Sequence, residues 1–312
     1  MNVSSISKSM MEFLNRSPAT IAVETSILLL IGLIAIGGNL LVVLSIYRNT
    51  SLRTITNYFV LSLAMTDILN PLLSLPFTLA WSIRSRFFMG YEVCDFQVIV
   101  SISLMQASIT NIVLMAVNRF IRVCKPHKYA KYFNRKNSLA MIVAVWVIHV
   151  IIVVSVITDG KIVFANFKAN KIMCNLTRGE KTSLSSIFFN IAIVIFFLVP
   201  FTIIVYCYYK VFKKIREHKR NVAPPSNPNS LGTCRQEIKV TWTMFAVLVG
   251  YCATWFPVLI VVLVSSMTRL SGAVHMIVTY SMAGSSAINP VIYGVMNPAF
   301  RREFIKILKL CK

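Results

Sequence analysis

The chain has 312 residues, of which 56% are hydrophobic and only 13% charged. That is too apolar for an ordinary soluble domain, in which about a quarter of residues carry charge, and it leaves a membrane protein. The formal charge of +22 would suit a nucleic-acid binder only if the basic residues formed a patch, and they are instead sorted by loop.

From the N-terminus, Met1–Thr20 is polar and lacks the short apolar core and small-residue site of a cleavable signal, so the first apolar run is expected to direct insertion itself. Seven long runs follow: Thr25–Tyr47, Thr54–Ile83 broken only by Asp67, Phe96–Asn118, Asn137–Thr158, Thr182–Tyr209, Val240–Thr268 and Leu270–Phe300. As a helix, each spans the roughly 30 Å hydrocarbon layer. The fold class this predicts is an all-α bundle of seven transmembrane helices with the N-terminus outside. Residues 1–23 form an outer segment, 24–297 the bundle, and 298–312 an amphipathic eighth helix and cytoplasmic tail. In that tail Phe300, Phe304, Ile307, Leu308 and Cys311 recur at helical spacing with Arg301, Arg302, Lys306 and Lys309 between them, a pattern for the inner membrane surface. Cys311 is a candidate palmitoylation site.

With this topology the inner segments hold 22 of the 32 Lys and Arg and the outer ones ten, which is the positive-inside bias. Of seven cysteines, at 94, 124, 174, 207, 234, 252 and 311, only Cys94 and Cys174 face the oxidising side, and they are expected to form a disulfide. Glycosylation sequons begin at Asn2, Asn15 and Asn175 outside; one at Asn49 falls inside. The segment Asn221–Gly232, rich in Pro, Asn and Ser, reads as the one flexible linker.

An ionisable group in hydrocarbon marks function by default, and Asp67 is the single acid within the runs. It must be protonated, hydrogen-bonded or neutralised by a cation such as sodium, with Asn39, Ser108, Ser285 and Asn289 as neighbours at similar depth. One acid makes no relay, and no internal repeat is visible, which weighs against a seven-helix channel or transporter. Pro71, Pro76, Pro200, Pro257 and Pro290 predict kinks, and Trp255 stands two residues before the kink at Pro257. G-x-S-x-G, H-E-x-x-H and a P-loop are missing, and His149 and His275 stand alone, so no enzyme is indicated. The third run ends on Arg119 between Asn118 and Phe120, placing a long basic side chain at the inner mouth of the bundle.

The set G-N-L-L-V at 38–42, L-A-M-T-D at 63–67, Cys94 with Cys174, N-R-F at 118–120, Trp146, Pro200, W-F-P at 255–257 and N-P-V-I-Y at 289–293 resembles a rhodopsin-like G-protein-coupled receptor over residues 24 to 311. Within that family the N-R-F triplet, N-R-K-N-S-L at 134–139, Q-E-I-K-V-T-W-T-M-F at 236–245 and Y-G-V-M-N-P-A-F-R-R-E-F at 293–304 look most like melatonin receptors and their orphan relatives. Those receptors carry N-R-Y, and the melatonin-contacting positions fall here on Val156, Leu176 and Arg178, so the ligand pocket has diverged. Ala283 stands where an opsin carries its lysine, which argues against retinal. Ser101 stands where amine receptors carry an aspartate.

The resemblance implies a plasma-membrane, multi-pass receptor that couples an extracellular small ligand to a heterotrimeric G protein, with arrestin and membrane lipids as further partners and no nucleic acid. Inhibitory-type coupling is expected from the likeness, and a peptide or lipid ligand is the alternative. The implied switch comprises Asn118, Arg119, Phe120, Tyr208, Glu237, Asn289, Pro290 and Tyr293, with an Arg119–Glu237 bridge holding the inactive state. The implied pocket walls are Ser101, Met105, Leu176, Arg178, Ala192, Trp255, Val258, Thr279 and Ala283.

Overall fold

The computed structural model describes residues 3–159, 163–178, 191, 194–221, 228–268 and 270–310, with side chains outside that description at 3–7, 159, 178, 218–219, 221, 228–237 and 266. Seven helices run back and forth as spans: one Pro18–Arg48, two Ile55–Arg84, three Tyr91–Cys124, four Arg135–Asp159, five Val199–Asn221, six Pro228–Met267 and seven Gly272–Met296. Among the described residues six helices are long and apolar enough to cross a membrane on hydropathy alone. Span seven, with His275, Thr279, Ser286 and Asn289 on its buried face, completes the bundle. In its most apolar stretch span three is 56% buried against 17% for span four, so span three is the central post and span four faces lipid.

Local chemistry sets several boundaries. Ser17 accepts a hydrogen bond from the Thr20 amide ahead of Pro18, which starts span one earlier than its first uncharged residue suggests. Thr54 caps span two in the same way. Gly90, at φ 83°, turns the chain into span three through a left-handed conformation that suits glycine alone. A Cβ on Gly38 would lie 2.6 Å from Pro290 Cγ, so that glycine is what lets spans one and seven touch. Pro71, Pro76, Pro257 and Pro290 lie inside helices. Pro200 follows a π-helical turn, Val194–Leu198, the wide turn expected where a proline cannot supply its amide.

Two elements were not foreseen. A helix, Val3–Leu14, stands within the segment read as polar, and β1 (Val163–Lys168) pairs antiparallel with β2 (Met173–Arg178) across the outer face. Cys94 and Cys174 form the expected disulfide, with Cα atoms 5.3 Å apart, and it ties β2 to span three. The last helix, Pro298–Leu310, buries Phe300, Glu303 and Ile307, and Asn49 donates to Glu303 at 3.2 Å, fixing this helix to the first inner loop.

Two buried clusters fill the ends of the bundle. The outer one gathers Phe13, Leu28, Trp81, Val98, Phe167 and Ile172 around the disulfide. The inner one gathers Phe59, Leu63, Met115, Tyr208, Met244, Tyr293 and Phe300.

Candidate functional site: a polar core and an inner switch

At mid-depth, span three's run of small polar residues faces spans two and seven. Asn289 donates to Asp67 Oδ2 at 2.6 Å, and the Ser286 hydroxyl also faces that carboxylate. Ser108 shares a hydrogen bond of 2.7 Å with Thr66 beside it. A narrow cavity lined by Asp67, Asn70, Ser108, Ser285, Ser286 and Asn289 opens here, with Trp255 on its wall. Of the neighbours expected for Asp67, Asn39 turns instead to the carbonyls of Ala35 and Ser286, at 2.8 and 2.9 Å, because span one approaches span seven at Gly38. Ser285 lines the cavity but donates to the Met282 carbonyl at 2.7 Å. One carboxylate among neutral oxygens suits a monovalent cation better than a divalent one. No cluster of three or more His, Cys, Asp or Glu occurs among the described residues.

Trp255 is buried, stacks on Tyr251 at 5.6 Å and meets Phe197 of the π-helical turn at 5.7 Å. It therefore links span six to span five just ahead of Pro257. Met105 lines the cavity below it. Ser101 donates to Ser74 at 2.8 Å and belongs both to this cavity and to a second, outer one that Thr279 and Ala283 also line. Leu176 and Val258 line neither cavity: Leu176 sits opposite Ala165 in the hairpin and packs on the outer cluster, and Val258 packs with Trp255, Val261 and Val278. The side chain of Arg178, and Ala192 altogether, lie outside the described residues. Among the described residues the second cavity is walled by spans one, two, three and seven and by Met173 of β2, and the first also by Tyr251 and Trp255 of span six.

At the inner end Arg119 is only 3% exposed. Its Nη2 donates to Thr56 Oγ1 at 2.9 Å, and its Nε donates to Met244 Sδ of span six at 3.2 Å. Thr56 donates in turn to Asn118 Oδ1 at 2.9 Å, and Asn118 Nδ2 donates to Tyr129 at 3.2 Å. Thr56 therefore relays between the two switch residues that stand side by side in sequence. Phe120 is half-buried and its ring lies 6.0 Å from Tyr206. Tyr208 lies within electrostatic reach of Arg119, and the buried hydroxyls of Tyr208, Tyr251 and Tyr293 have no hydrogen-bond partner among the described residues. The side chain of Glu237 lies outside the described residues, as do Asn2 and Cys311. Of the other sequons, Asn15 follows the N-terminal helix, and Asn175 stands on β2 with its Oδ1 accepting from the Leu176 amide.

Sequence reasoning passed over Thr56 and Gln97. Gln97, fully buried, donates to Ser74 O at 3.0 Å and Thr78 Oγ1 at 2.9 Å, and accepts from the Cys174 amide at 2.8 Å. Its signal was its place three residues after Cys94, on the same helix face. Thr56 offered none, since a threonine near a helix start reads as a cap.

A seven-span bundle with an outer disulfide, a mid-membrane acid and a buried inner arginine defines the class of G-protein-coupled receptors. The family model "7 transmembrane receptor (rhodopsin family)" matches residues 38–293. The chain belongs to that family, and it is a multi-pass cell-surface receptor of the plasma membrane and not an enzyme. It is 30% identical over 278 residues to melatonin receptor type 1A of Phodopus sungorus, covering 87% of this chain and 76% of that one. Against melatonin receptor type 1A of Ovis aries identity is 30% over 310 residues, 93% and 78% of the two chains. The histamine H2 receptor of Rattus norvegicus is 28% identical over 289 residues, 90% and 77%. In architecture the chain superposes on squid rhodopsin with a TM-score of 0.80 at 18% identity, covering 96% of this chain and 89% of that one.

Proposed function

We propose that this receptor passes an extracellular small-ligand signal to a heterotrimeric G protein of the inhibitory type by releasing Arg119 from span six. The observation that carries the reading is the direct contact of Arg119 with Met244, which couples the inner end of span three to the helix that Pro257 allows to pivot. A ligand that prefers the arrangement with Trp255 displaced shifts the population toward the open inner face. Arg119 then exchanges Met244 and Thr56, and Glu237 where that bridge forms, for carbonyls or carboxylates of the Gα C-terminal helix. Tyr208 and Tyr293, whose hydroxyls have no hydrogen-bond partner among the described residues, gain partners in the open arrangement.

The cavity at Asp67 fits a sodium ion, with Asp67, Ser108 and Asn289 as its holders; the ion supplies charge compensation for a buried carboxylate. Ser101 and Ala283 argue against an amine counter-ion and a retinal Schiff base. Arrestin, inner-leaflet lipids along Pro298–Leu310, glycan at Asn15 and Asn175 and acyl chains at Cys311 complete the expected associations.

The test is nucleotide exchange on purified Gα subunits by the receptor in lipid nanodiscs. Wild-type chain is expected to accelerate exchange on an inhibitory-type Gα, and sodium to lower the basal rate in wild type but not in Asp67→Asn. Absence of acceleration on every Gα class contradicts the reading.

A further inference from the structure

The inner ends of spans three and five bring two lysines onto one pair of aromatic rings at the lipid-facing surface. Between Arg119 and Lys136 the chain holds seven Lys and Arg and no Asp or Glu. Lys125 caps span three and stands exposed, its ammonium over the Phe120 ring at 5.5 Å from the centroid. On span five the Lys210 ammonium lies 5.6 Å from the centroid of Tyr206, one turn back. The rings of Phe120 and Tyr206 are 6.0 Å apart across the two spans, so both ammonium groups flank a single aromatic pair. Cys124 agrees with this placement, lying within electrostatic reach of Lys125, Lys210 and Lys214.

Among the described residues neither Lys125 nor Lys210 is in an ion pair. Glu217, the single acid of span five, is exposed two turns further toward the cytosol, and Glu303 is taken by Lys306 and Asn49. Tyr206 is 52% exposed, and with Val199 at 46% and Ile203 at 37% it makes an uncovered apolar stripe at helical spacing that leads along span five to Lys210. An acyl chain would cover that stripe, and a head group at its inner end would meet both ammonium groups where long basic side chains reach the membrane surface. A phosphomonoester brings close to two charges and three acceptor oxygens, enough to serve two lysines at once.

We propose that the inner ends of spans three and five form a binding site for an inner-leaflet phospholipid with a phosphomonoester head group, held by Lys125 and Lys210 and flanked by Phe120 and Tyr206. The site lies apart from the helix Pro298–Leu310, which packs on spans one and seven.

The experiment is native mass spectrometry of the full chain in mild detergent, counting bound lipid as probes are titrated. The probes are dioctanoyl phosphatidylinositol bisphosphate, phosphatidylserine and phosphatidylcholine, with inositol trisphosphate as a head group without chains. The first bisphosphate lipid is expected to bind wild type about tenfold more tightly than phosphatidylserine, phosphatidylcholine or the free head group. Lys125→Gln combined with Lys210→Gln weakens that first lipid about tenfold, and arginine at both positions keeps it within about threefold. A charge-matched pair on the last helix, Arg302→Gln with Lys309→Gln, leaves it within about threefold. Tyr206→Leu, which keeps both charges, weakens it about threefold. Equal losses in the two charge-removing pairs reduce the site to general surface charge and overturn the proposal. An unchanged first lipid in either the double lysine variant or Tyr206→Leu overturns it as well. Phosphatidylserine binding as tightly as the bisphosphate overturns the phosphomonoester assignment, and inositol trisphosphate binding as tightly overturns the lipid one. No G protein is present, so these outcomes are read independently of the coupling proposed above.

Discussion

The two ends of the bundle are built on opposite principles. The outer end is cross-linked: the disulfide, Gln97 and Thr279 each tie the hairpin to a helix, and Phe167 of β1 packs 5.4, 5.2 and 5.0 Å from the rings of Phe13, Trp81 and Phe87. Arg16 adds an ion pair to Glu24 and a 2.7 Å bond to Ser82 O, fastening the N-terminal segment to span two. At the inner end the links described between spans include a thioether and a threonine relay, beside tyrosines whose hydroxyls have no hydrogen-bond partner among the described residues. A receptor needs this asymmetry, because the outer end must hold a ligand-shaped surface while the inner end changes partners at low cost.

Breaking the outer end should therefore cost stability, and breaking the inner end should change signalling. Cys94→Ser should give the largest loss of stability, about 2–5 kcal/mol, read as a fall in melting temperature and in surface expression. Gln97→Leu removes three buried hydrogen bonds and is expected to cost about 1–3 kcal/mol while leaving basal exchange per folded receptor unchanged. Thr56→Val leaves Asn118 Oδ1 without its Thr56 donor and loosens Arg119; it should cost no more than Gln97→Leu yet raise basal exchange severalfold. If Gln97→Leu raised exchange and Thr56→Val did not, the division between the two ends would be wrong.

The smallest expected effect sharpens the contrast. Because Lys171 titrates lower in the folded chain than unfolded, the unfolded state binds more protons between those two values, so stability rises as pH rises through that window. Lys171→Gln should accordingly raise the melting temperature of the ligand-free receptor slightly and flatten that alkaline rise.

The seven spans were legible because lipid demands long uncharged runs and the basic loops give their direction, both properties of single segments. The N-terminal helix and the hairpin were not, because Phe13 acquires meaning only on meeting Phe167, and Phe167 only on meeting Trp81 and Phe87, all far apart in sequence. Asp67 stood out as the one acid in hydrocarbon. Thr56 could not, because its role depends on Asn118 and Arg119 being 62 and 63 residues away and within reach of one hydroxyl.

The most direct test of the inner switch is basal and Gα-dependent nucleotide exchange by Arg119→Ala beside wild type, both purified in nanodiscs and matched for folded protein. The account predicts that the variant melts within a few degrees of wild type and fails to accelerate exchange on any Gα subunit. Wild-type exchange from a folded Arg119→Ala receptor would contradict it.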